Sequence, residues 1–393
     1  MTARAKDQAH DPARSRPVKR TPLEAAEAAR RRMDDPAYRV EVDRRRGRGA
    51  SANPSGRYEP AQRETFDDGW EIEEELPTLP TEVFLEKPRT IVTKNDSPDI
   101  LFEKSINPYR GCEHGCSYCF ARPTHAYQGL SSGLDFETKI FAKPNAAELL
   151  EKELQSSKYQ PTPIALGSNT DPYQPVERRF RITRSILEVL NRMNHPVAIV
   201  TKSALVTRDI DILGSMAERQ LAKVAISVTT LDPKLARRME PRAATPAKRL
   251  ETISRLTEAG IPVSVLVAPI IPAINDHEIE AILKACAEAG AGEAGYVLLR
   301  LPHDLKDLMR DWLVDHYPDK LNHVFTLLQE ARGGKDYDAN WSTRQSGIGP
   351  YAWMLGRRFE TTCERLGLNK RSLRLRTDLF KVPPKETGQL SLF

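Results

Sequence analysis

Short runs of Val, Ile and Leu alternate with amphipathic segments through the middle of this chain, and this alternation constrains the fold more than any other feature. The apolar runs are continuous, which is typical of strands covered on both faces. The segments between them have apolar residues at helical spacing. Repeated strand–helix units predict a parallel sheet with right-handed crossovers. The predicted strands are residues 162–168, 197–203, 222–230, 262–270 and 295–302, and the predicted helices are 144–155, 181–193, 207–220, 245–260 and 276–290.

A further strand is predicted over residues 100–112, where it leads into a loop with three cysteines. Six strand–helix units in roughly 200 residues favour the α/β class and, within it, an incomplete (β/α)6 barrel over residues 100–302. A doubly wound open sheet is the alternative. In both folds ligands bind at the carboxyl ends of the strands, and the cysteine loop follows the first strand at that edge.

The remaining segments differ in composition. Residues 1–62 are predicted to be a basic, mostly disordered leader, and residues 63–99 an acidic linker or wrap. Residues 303–380 contain three predicted helices, and we expect this helical C-terminal extension to pack against the open side of the barrel. Residues 381–393 open with a Pro pair and are predicted to be a flexible tail.

Basic charge is concentrated in the leader. Residues 1–63 contain 16 Lys and Arg against 9 Asp and Glu, although the whole chain has a formal net charge of only +5. Arginine clusters attract phosphate backbones without reading sequence, so the leader is a candidate for contact with nucleic acid. A merely solvated leader is the alternative. Two parts of it are candidates for local order, namely a possible helix over residues 21–33 and residues 47–59, which could order against the main domain or a ligand.

Hydropathy and cysteine use indicate the compartment. No stretch approaches about 18 uninterrupted apolar residues, so no membrane span is expected. The first residues lack the apolar core of a secretion signal. Five cysteines, three of them clustered, fit a reducing cytosol better than a disulfide framework. A soluble cytoplasmic protein is therefore expected.

The cysteine loop is the sequence NPYRGCEHGCSYCFARP, residues 107–123. Cys112, Cys116 and Cys119 have the spacing C-x3-C-x2-C, and three thiolates can hold three corners of a cubane [4Fe–4S] cluster. The remaining iron would then be open to substrate or cofactor. Structural zinc is the alternative, with His114 or His125 as a fourth ligand.

The motif CEHGCSYC, followed by an aromatic residue at the end of the first predicted strand, resembles the radical S-adenosylmethionine (SAM) superfamily over roughly residues 100–302. The resemblance implies that the three cysteines bind a [4Fe–4S] cluster, beside the aromatic Tyr118 and Phe120. It also implies that the open iron chelates the amino and carboxylate groups of S-adenosyl-L-methionine. One-electron reduction, by a flavodoxin- or ferredoxin-type donor, then cleaves SAM to methionine and a 5′-deoxyadenosyl radical that abstracts a hydrogen atom.

Other predicted strand ends supply candidate cofactor-binding residues. After the second strand, Gly167, Ser168 and Asn169 would let the backbone approach the charged end of SAM, and Asp171 could accept a hydrogen bond from its ammonium group. An Asx-type turn is the alternative for this segment. Lys202, at the end of the third strand, is available to a carboxylate.

The fourth strand and the segment after it add three candidates. Ser227 and Thr229 carry hydroxyl groups suited to the ribose of SAM. Arg242 could pair with a carboxylate or with a substrate phosphate. The alternative for Arg242 is an ordinary surface arginine.

Within the superfamily, NPYRGCEHGCSYCF together with SNTDPYQPVE is similar to the branch that contains spore photoproduct lyase, the DNA repair photolyase-like proteins. The GRGA sequence and residues 120–127 resemble a bacterial subgroup of that branch. In spore photoproduct lyase a cysteine placed in the barrel after the cluster returns a hydrogen atom. This chain has no cysteine between Cys119 and Cys286, and Tyr173 is the candidate donor in its place.

The last five residues, QLSLF, resemble the peptide by which bacterial repair and replication proteins dock on the DNA polymerase sliding clamp. In this interpretation Gln389 makes amide hydrogen bonds, and Leu390, Leu392 and Phe393 fill apolar pockets. A tail that folds back on its own domain is the alternative. The leader and the tail together favour DNA as the substrate.

Three functions remain open from the sequence. The leading hypothesis is a radical SAM enzyme that acts on nucleic acid, in DNA repair. The second is a radical SAM enzyme that acts on a protein or a small molecule. The third is a non-enzymatic zinc or iron–sulfur module that binds nucleic acid.

Overall fold

The computed structural model describes residues 21–36, 38–59, 78–100, 102–371 and 374–383. Ten strands form two sheets within these residues. The strands are β1 (Glu82–Leu85), β2 (Val92–Lys94), β3 (Lys104–Ile106), β4 (Tyr109–Arg110), β5 (Lys139–Ala142), β6 (Ile164–Leu166), β7 (Val197–Thr201), β8 (Ala222–Ser227), β9 (Val263–Ile270) and β10 (Glu293–Leu298).

Helices connect the strands and follow the last of them. Capping hydroxyls mark some of their starts, as at Thr245, whose side chain accepts from the backbone of Lys248. The helices are α1 (Pro22–Asp34), α2 (Asp135–Thr138), α3 (Ala146–Leu154), α4 (Glu177–Phe180), α5 (Ile182–Arg192), α6 (Ile210–Glu218), α7 (Pro233–Met239), α8 (Pro246–Glu258), α9 (Ile279–Glu288), α10 (Leu305–His316), α11 (Leu321–Glu330) and α12 (Gly349–Leu366). Among the described residues, no helix is long and apolar enough to cross a membrane.

The main sheet has seven strands in the order β10-β9-β8-β7-β6-β3-β2. The strands β3, β6, β7, β8, β9 and β10 pair in parallel, and β2 adds an antiparallel edge strand beside β3. Six parallel strands joined through helices confirm the predicted strand–helix series. The last strand ends at Leu298 rather than at residue 302.

The helices cover one face of this sheet, which favours the partial barrel over the doubly wound alternative. Ile199, Val224 and Val265 belong to one buried cluster with apolar residues of α5, α6, α8 and α9. Successive side chains of a strand point to opposite faces, and Val200 and Leu266, one position further along, line a cavity on the other side. The predicted α/β class and incomplete barrel are confirmed.

Part of the predicted leader is ordered, including both segments named as candidates for local order, and the expectation of disorder is corrected for residues 34–36 and 38–46. The predicted helix over residues 21–33 is α1, and it packs on α10 and α11. Ala26, Ala29 and Met33 lie on one face of α1 and are buried there. A stripe of small apolar residues at helical spacing gives the helix a surface to bury, so this segment does not stay solvated. Residues 1–20 and 60–62 lie outside the described residues.

The part of the predicted acidic linker from residue 78 to 99 lies against the core. Strand β2 extends the main sheet. Strand β1 belongs to a second sheet of order β1-β5-β4, which the sequence analysis did not predict because its strands are only two to four residues long. This segment therefore behaves as a wrap.

The three predicted C-terminal helices are present as α10, α11 and α12. Helix α12 packs on α9 and β10, with the rings of Tyr296 and Phe359 4.8 Å apart. It therefore covers the edge strand of the sheet, as the sequence analysis expected. The QLSLF peptide lies outside the described residues.

Candidate active site

The carboxyl ends of the strands surround a cavity of about 220 Å³. The cysteine loop closes one side of it, and residues from β6 to β10 and the loops after them form the rest. Its lining residues are Cys112, His114, Cys116, Tyr118, Cys119, Phe120, Ala121, Gly167, Ser168, Asn169, Thr170, Asp171, Val200, Thr201, Lys202, Ser227, Leu266, Ala268, Pro269, Val297, Arg300 and Gln345. Eleven of the fourteen predicted metal, cofactor and hydrogen-donor residues that lie in the described chain are in this set.

The three cysteines of the loop lie at this cavity. Cys112 and Cys116 are buried, and Cys119 is partly exposed. Burial raises the pKa of both Cys112 and Cys116, so these thiols stay protonated without a ligand. A metal centre reverses this preference because thiolates are its ligands and a coordinating thiol is deprotonated. The buried thiols therefore fit a metal cluster rather than a reactive free nucleophile.

The two histidines proposed as a fourth zinc ligand have other contacts. Nδ1 of His114 lies 3.3 Å from Oδ2 of Asp171. Nε2 of His125 bonds to the backbone oxygen of Lys139 at 3.0 Å, and its ring packs edge-on against Phe136. Within the described residues, no three His, Cys, Asp or Glu side chains converge on a point that suits a single metal ion. The contacts of His114 and His125 do not favour either histidine as a fourth zinc ligand.

A buried ion pair outside the cavity lining supports the cysteine loop, on what we call its outer side. Arg122 and Glu137 are both fully buried and in contact. Arg122 Nε donates to the backbone oxygen of Cys116 at 2.8 Å. The carboxylate of Glu137 accepts from the backbone nitrogens of Gly49 and Ala50, each at 2.8 Å. The leader segment is thereby bonded to the cysteine loop through Glu137.

Only glycine fits at position 49. A Cβ atom there would lie 1.7 Å from the backbone oxygen of Gly115, in the middle of the cysteine loop. The GRGA sequence therefore packs directly against the loop. Sequence analysis identified residues 47–59 as a candidate for order, and missed Arg122 and Glu137 because neither stands in a recognisable motif.

The loop after β6 is shaped by a glycine and an asparagine. Gly167 has a φ of 97°, and a Cβ atom there would lie 2.3 Å from the backbone oxygen of Val200. Asn107 Nδ2 donates to Ser168 Oγ at 3.0 Å, and Asn107 Oδ1 accepts from the backbone nitrogen of Asn169 at 2.9 Å. Asn107 therefore ties the start of the cysteine loop to the second predicted cofactor segment.

Asp171 is more constrained than the sequence analysis expected. Its carboxylate accepts from the Thr201 hydroxyl at 2.7 Å and from the backbone nitrogen of Lys202 at 2.8 Å, besides its contact with His114. Burial alone would raise the pKa of Asp171, but His114 and these hydrogen bonds outweigh it and lower the pKa to about 2. The residue joins the cysteine loop to the end of β7, and its predicted bond to the SAM ammonium would add to contacts it already makes.

The other cavity candidates present charge, a hydroxyl and aromatic surface. Lys202 Nζ lies 5.7 Å from the centre of the Tyr118 ring, within range of a cation–π contact. Phe120 is 47% exposed, with the Arg300 guanidinium 5.3 Å from its ring centre. Ser227 lies at the end of β8. These side chains stand where a small ligand in the cavity would meet them.

Thr229 and Arg242, the other two candidates near the fourth strand, are not among the residues that line the cavity. Thr229 is buried and donates to Glu240 Oε1 at 3.0 Å. Arg242 pairs with Glu113 at 2.9 Å on the outer side of the loop. The sequence argument placed Thr229 and Arg242 at the ligand because they follow the fourth strand, but spacing alone does not show which side chains are held by buried or outer carboxylates. Glu240, which also contacts Tyr118 and Arg249, is the residue of this segment that supports the loop.

Tyr173 is also outside the cavity. Its side chain is fully buried, and its ring lies 5.9 Å from the Arg208 guanidinium. Burial, with the nearby Asp209, raises the pKa of its hydroxyl. The position does not favour the predicted hydrogen-donor role, because the ring points into the core. The sequence analysis also missed Arg300 and Gln345, which line the cavity from the segment after the last strand and from the C-terminal region, and stand in no recognisable motif.

Comparisons with known proteins identify the class to which this site belongs. Residues 106–286 match the Radical SAM superfamily. An uncharacterized protein of Mycobacterium bovis is 36% identical over 228 residues, which cover 58% of this chain and 67% of that protein. A radical SAM Nα-GlyT isomerase of Pseudomonas phage M6 is 25% identical over 199 residues, which cover 48% of this chain and 39% of that protein. The chain belongs to the radical SAM superfamily and is an enzyme.

The cofactors follow from the family. Radical SAM proteins bind a [4Fe–4S] cluster and S-adenosyl-L-methionine.

Among solved structures, the chain is similar to a spore photoproduct lyase variant with bound AdoMet and dinucleoside spore photoproduct, with a TM-score of 0.49 and 15% identity over 75% of this chain and 86% of that one.

Proposed function

We propose that this chain is a radical SAM enzyme whose substrate is a nucleic acid, and that it acts in DNA repair. The observation that carries the proposal is the cavity itself, where the three loop thiols share a largely apolar lining with a few polar groups, Asp171, Lys202 and Ser227, at the strand ends. In this proposal Cys112, Cys116 and Cys119 hold the cluster, and SAM lies beside them in the cavity.

When bound, the cluster supplies the electron that cleaves SAM to methionine and the 5′-deoxyadenosyl radical. The residues of this chain would bind and orient SAM and exclude water from the cavity. Lys202 would meet the carboxylate of SAM, the backbone of Gly167, Ser168 and Asn169 would approach its charged end, and the Ser227 hydroxyl would meet its ribose. Asn107 and Asp171 hold these segments in place through the hydrogen bonds described above.

The rest of the cavity lining supports an organic substrate with polar edges. Leu266, Pro269 and Val297 are apolar members of this lining, which also contains Arg300 and Gln345. Nε of Arg300 is buried and has no hydrogen-bond partner among the described residues. Guanidinium and amide groups recognise the edges of nucleobases, so this combination of groups favours a base over a plain aliphatic substrate.

Further support comes from the chain outside the cavity. The leader segment is strongly basic, and part of it bonds to the cysteine loop, so phosphates drawn to the leader would come close to the site. The similarity of the cysteine loop to the DNA repair photolyase-like branch points the same way. We also propose a flavodoxin- or ferredoxin-type electron donor and a cytoplasmic location, where five free cysteines stay reduced.

The test is anaerobic purification and reconstitution. We expect about four irons per chain and 5′-deoxyadenosine formation with dithionite. Deuterium should pass into 5′-deoxyadenosine from labelled DNA. Transfer only from labelled protein or small molecules of a lysate would support the second hypothesis, and a colourless zinc protein would support the third.

The C-terminal peptide has its own test. We propose that Gln389, Leu390, Leu392 and Phe393 dock on the sliding clamp. Deleting residues 389–393 should then abolish co-elution of the chain with the clamp, while 5′-deoxyadenosine formation persists. Unchanged co-elution would contradict clamp docking through this peptide.

A further inference from the structure

Two exposed tyrosines stack on each other next to the active-site loop. The rings of Tyr58 and Tyr127 have centroids 5.8 Å apart and planes inclined by 27°. Their side chains nevertheless remain accessible, with 58% of Tyr58 and 69% of Tyr127 exposed. Tyr58 belongs to the leader and Tyr127 to the 3-10 helix Arg122–Gln128 that follows the cysteines. Two segments far apart in sequence thus build one aromatic surface.

This surface adjoins the cavity. Asn169 Nδ2, from the cavity lining, donates to Thr124 Oγ1 at 3.5 Å. Residues three apart in a 3-10 helix lie above each other on one face, so Tyr127 lies one turn beyond Thr124. At the start of the same segment, Phe120 is half-exposed and lines the cavity. The short segment of residues 120–127 therefore connects the cavity lining to the Tyr58–Tyr127 pair.

Arginines accompany these rings. The Arg57 guanidinium lies 5.5 Å from the centre of the Tyr58 ring, and Arg300 lies 5.3 Å from that of Phe120. Interleaved aromatic rings and arginines are the pattern of surfaces that bind single-stranded nucleic acid, where bases stack on the rings and cations face the phosphates. The charge of Arg57 is partly balanced by Asp304, whose carboxylate lies 3.6 Å away, so the exposed rings are the main support for nucleic-acid binding here.

The tyrosine pair is not needed merely to fasten the leader. Asn53 and Asp135 exchange two hydrogen bonds of 3.0 Å. Arg57 donates to the backbone oxygen of Pro123 at 3.1 Å. Gly49 and Ala50 are bonded to Glu137. With these attachments in place, two large rings that each stay more than half exposed have surface left for a ligand.

We infer that Tyr58 and Tyr127 form a stacking platform for an unpaired base of the nucleic acid, next to the base that enters the cavity. This inference rests on the proposed function, since it assumes a nucleic-acid substrate. It specifies that the substrate is bound with unpaired bases, as a single strand or with extruded nucleotides, because a base inside a duplex cannot stack on a side chain.

The experiment measures binding of a fluorescent 12-nucleotide oligothymidylate, and of a duplex of equal length, to the reconstituted full chain by anisotropy. Tyr58→Ala and Tyr127→Ala should each weaken single-strand binding by about 10-fold, since each removes one stacking ring. Tyr58→Phe and Tyr127→Phe keep the ring and should bind like the unmodified chain. Trp353→Ala, which removes a 68% exposed ring from α12, is the matched control and should have no effect.

The other possible outcomes distinguish failure of the proposed substrate from failure of the stacking platform. If the unmodified chain binds neither oligonucleotide, the nucleic-acid substrate itself is contradicted. If it binds but the alanine variants bind equally well, or lose no more than Trp353→Ala, only the platform is wrong. Equal loss in the phenylalanine variants, or no preference for the single strand, also contradicts stacking. Thermal unfolding midpoints of all variants are measured in parallel. If the loss of oligonucleotide affinity is accompanied by a lower midpoint in the same variants, the loss reflects unfolding and the inference is overturned.

Discussion

The two sides of the cysteine loop differ in how their polar groups are used. On the outer side, Arg122 and Glu137 are fully buried and bonded to the loop and the leader. On the cavity side, Lys202 and Arg300 border open space, and a buried nitrogen of Arg300 has no partner among the described residues. A rigid, satisfied support on one side and available polar groups on the other is the arrangement that a preorganised ligand site requires.

A second carboxylate extends the outer support. Glu240 is buried and contacts Tyr118, Thr229 and Arg249. The backbone nitrogen of Ser117 also bonds to the oxygen of Met239 at 3.0 Å. Two buried carboxylates from distant parts of the chain therefore support one short loop. We expect changes on the outer side to alter stability, and changes on the cavity side to alter ligand binding.

The largest expected effect concerns the thiols themselves. Cys116→Ala should abolish both the iron content and 5′-deoxyadenosine formation, because two remaining cysteines cannot hold the cluster. Iron analysis, the visible absorbance spectrum and product chromatography provide the readouts. Cys286→Ala changes an equally buried thiol in α9 and should leave the cluster intact. A Cys116→Ala protein with full iron content would contradict the assignment of this thiol.

The buried ion pair should give the next largest effect. Glu137→Gln leaves the Arg122 charge buried without a counter-charge, which should lower the free energy of unfolding by about 3 kcal/mol. Chemical denaturation of the chain measures this loss. As a control, Glu360→Gln breaks the exposed pair with Arg357 and should change stability by less than about 0.5 kcal/mol. Equal effects of the two changes would show that the outer side is not a special support.

Gly49→Ala tests the close contact between the leader and the loop. The added methyl group would overlap the backbone oxygen of Gly115, so the leader must shift at a cost of about 1–3 kcal/mol. Trypsin should then cut faster in the arginine-rich residues 44–48. Gly292→Ala is the matched control, because a Cβ atom there meets nothing within 4 Å. Unchanged trypsin sensitivity of Gly49→Ala would contradict the close contact between the leader and the loop.

The smallest expected effect belongs to the cavity side. Lys202→Met keeps the length of the side chain and removes its charge, so the dissociation constant for SAM should rise about 10-fold while stability is unchanged. Calorimetric titration of the reconstituted protein measures the change. Lys284→Met, at a solvent-exposed position of α9, is the control. If SAM affinity stays the same, Lys202 does not contact the cofactor carboxylate.

Much of the fold could be predicted because its signals are local. The apolar runs around Ile199, Val224 and Val265 identify strands by composition alone, and helical spacing identifies the segments between them. The short strands of the second sheet escaped prediction since two to four residues carry no usable period. Helix α1 was predicted, but the disorder assigned to residues 38–46 was wrong, because their contacts, such as that of Arg45 with Asp315, join segments far apart in sequence.

The sequence by itself determined the thiol triad, the order of strands and helices, and the edge of the sheet where the site lies, since each depends on spacing within a few residues. Only the tertiary structure decided which side chains reach the cavity. Thr229 and Tyr173 turn into the core, whereas Arg300 and Gln345 reach the cavity from the far end of the chain. The physical reason is that sheet topology and packing between distant segments determine a side chain's neighbours, and local sequence spacing determines neither.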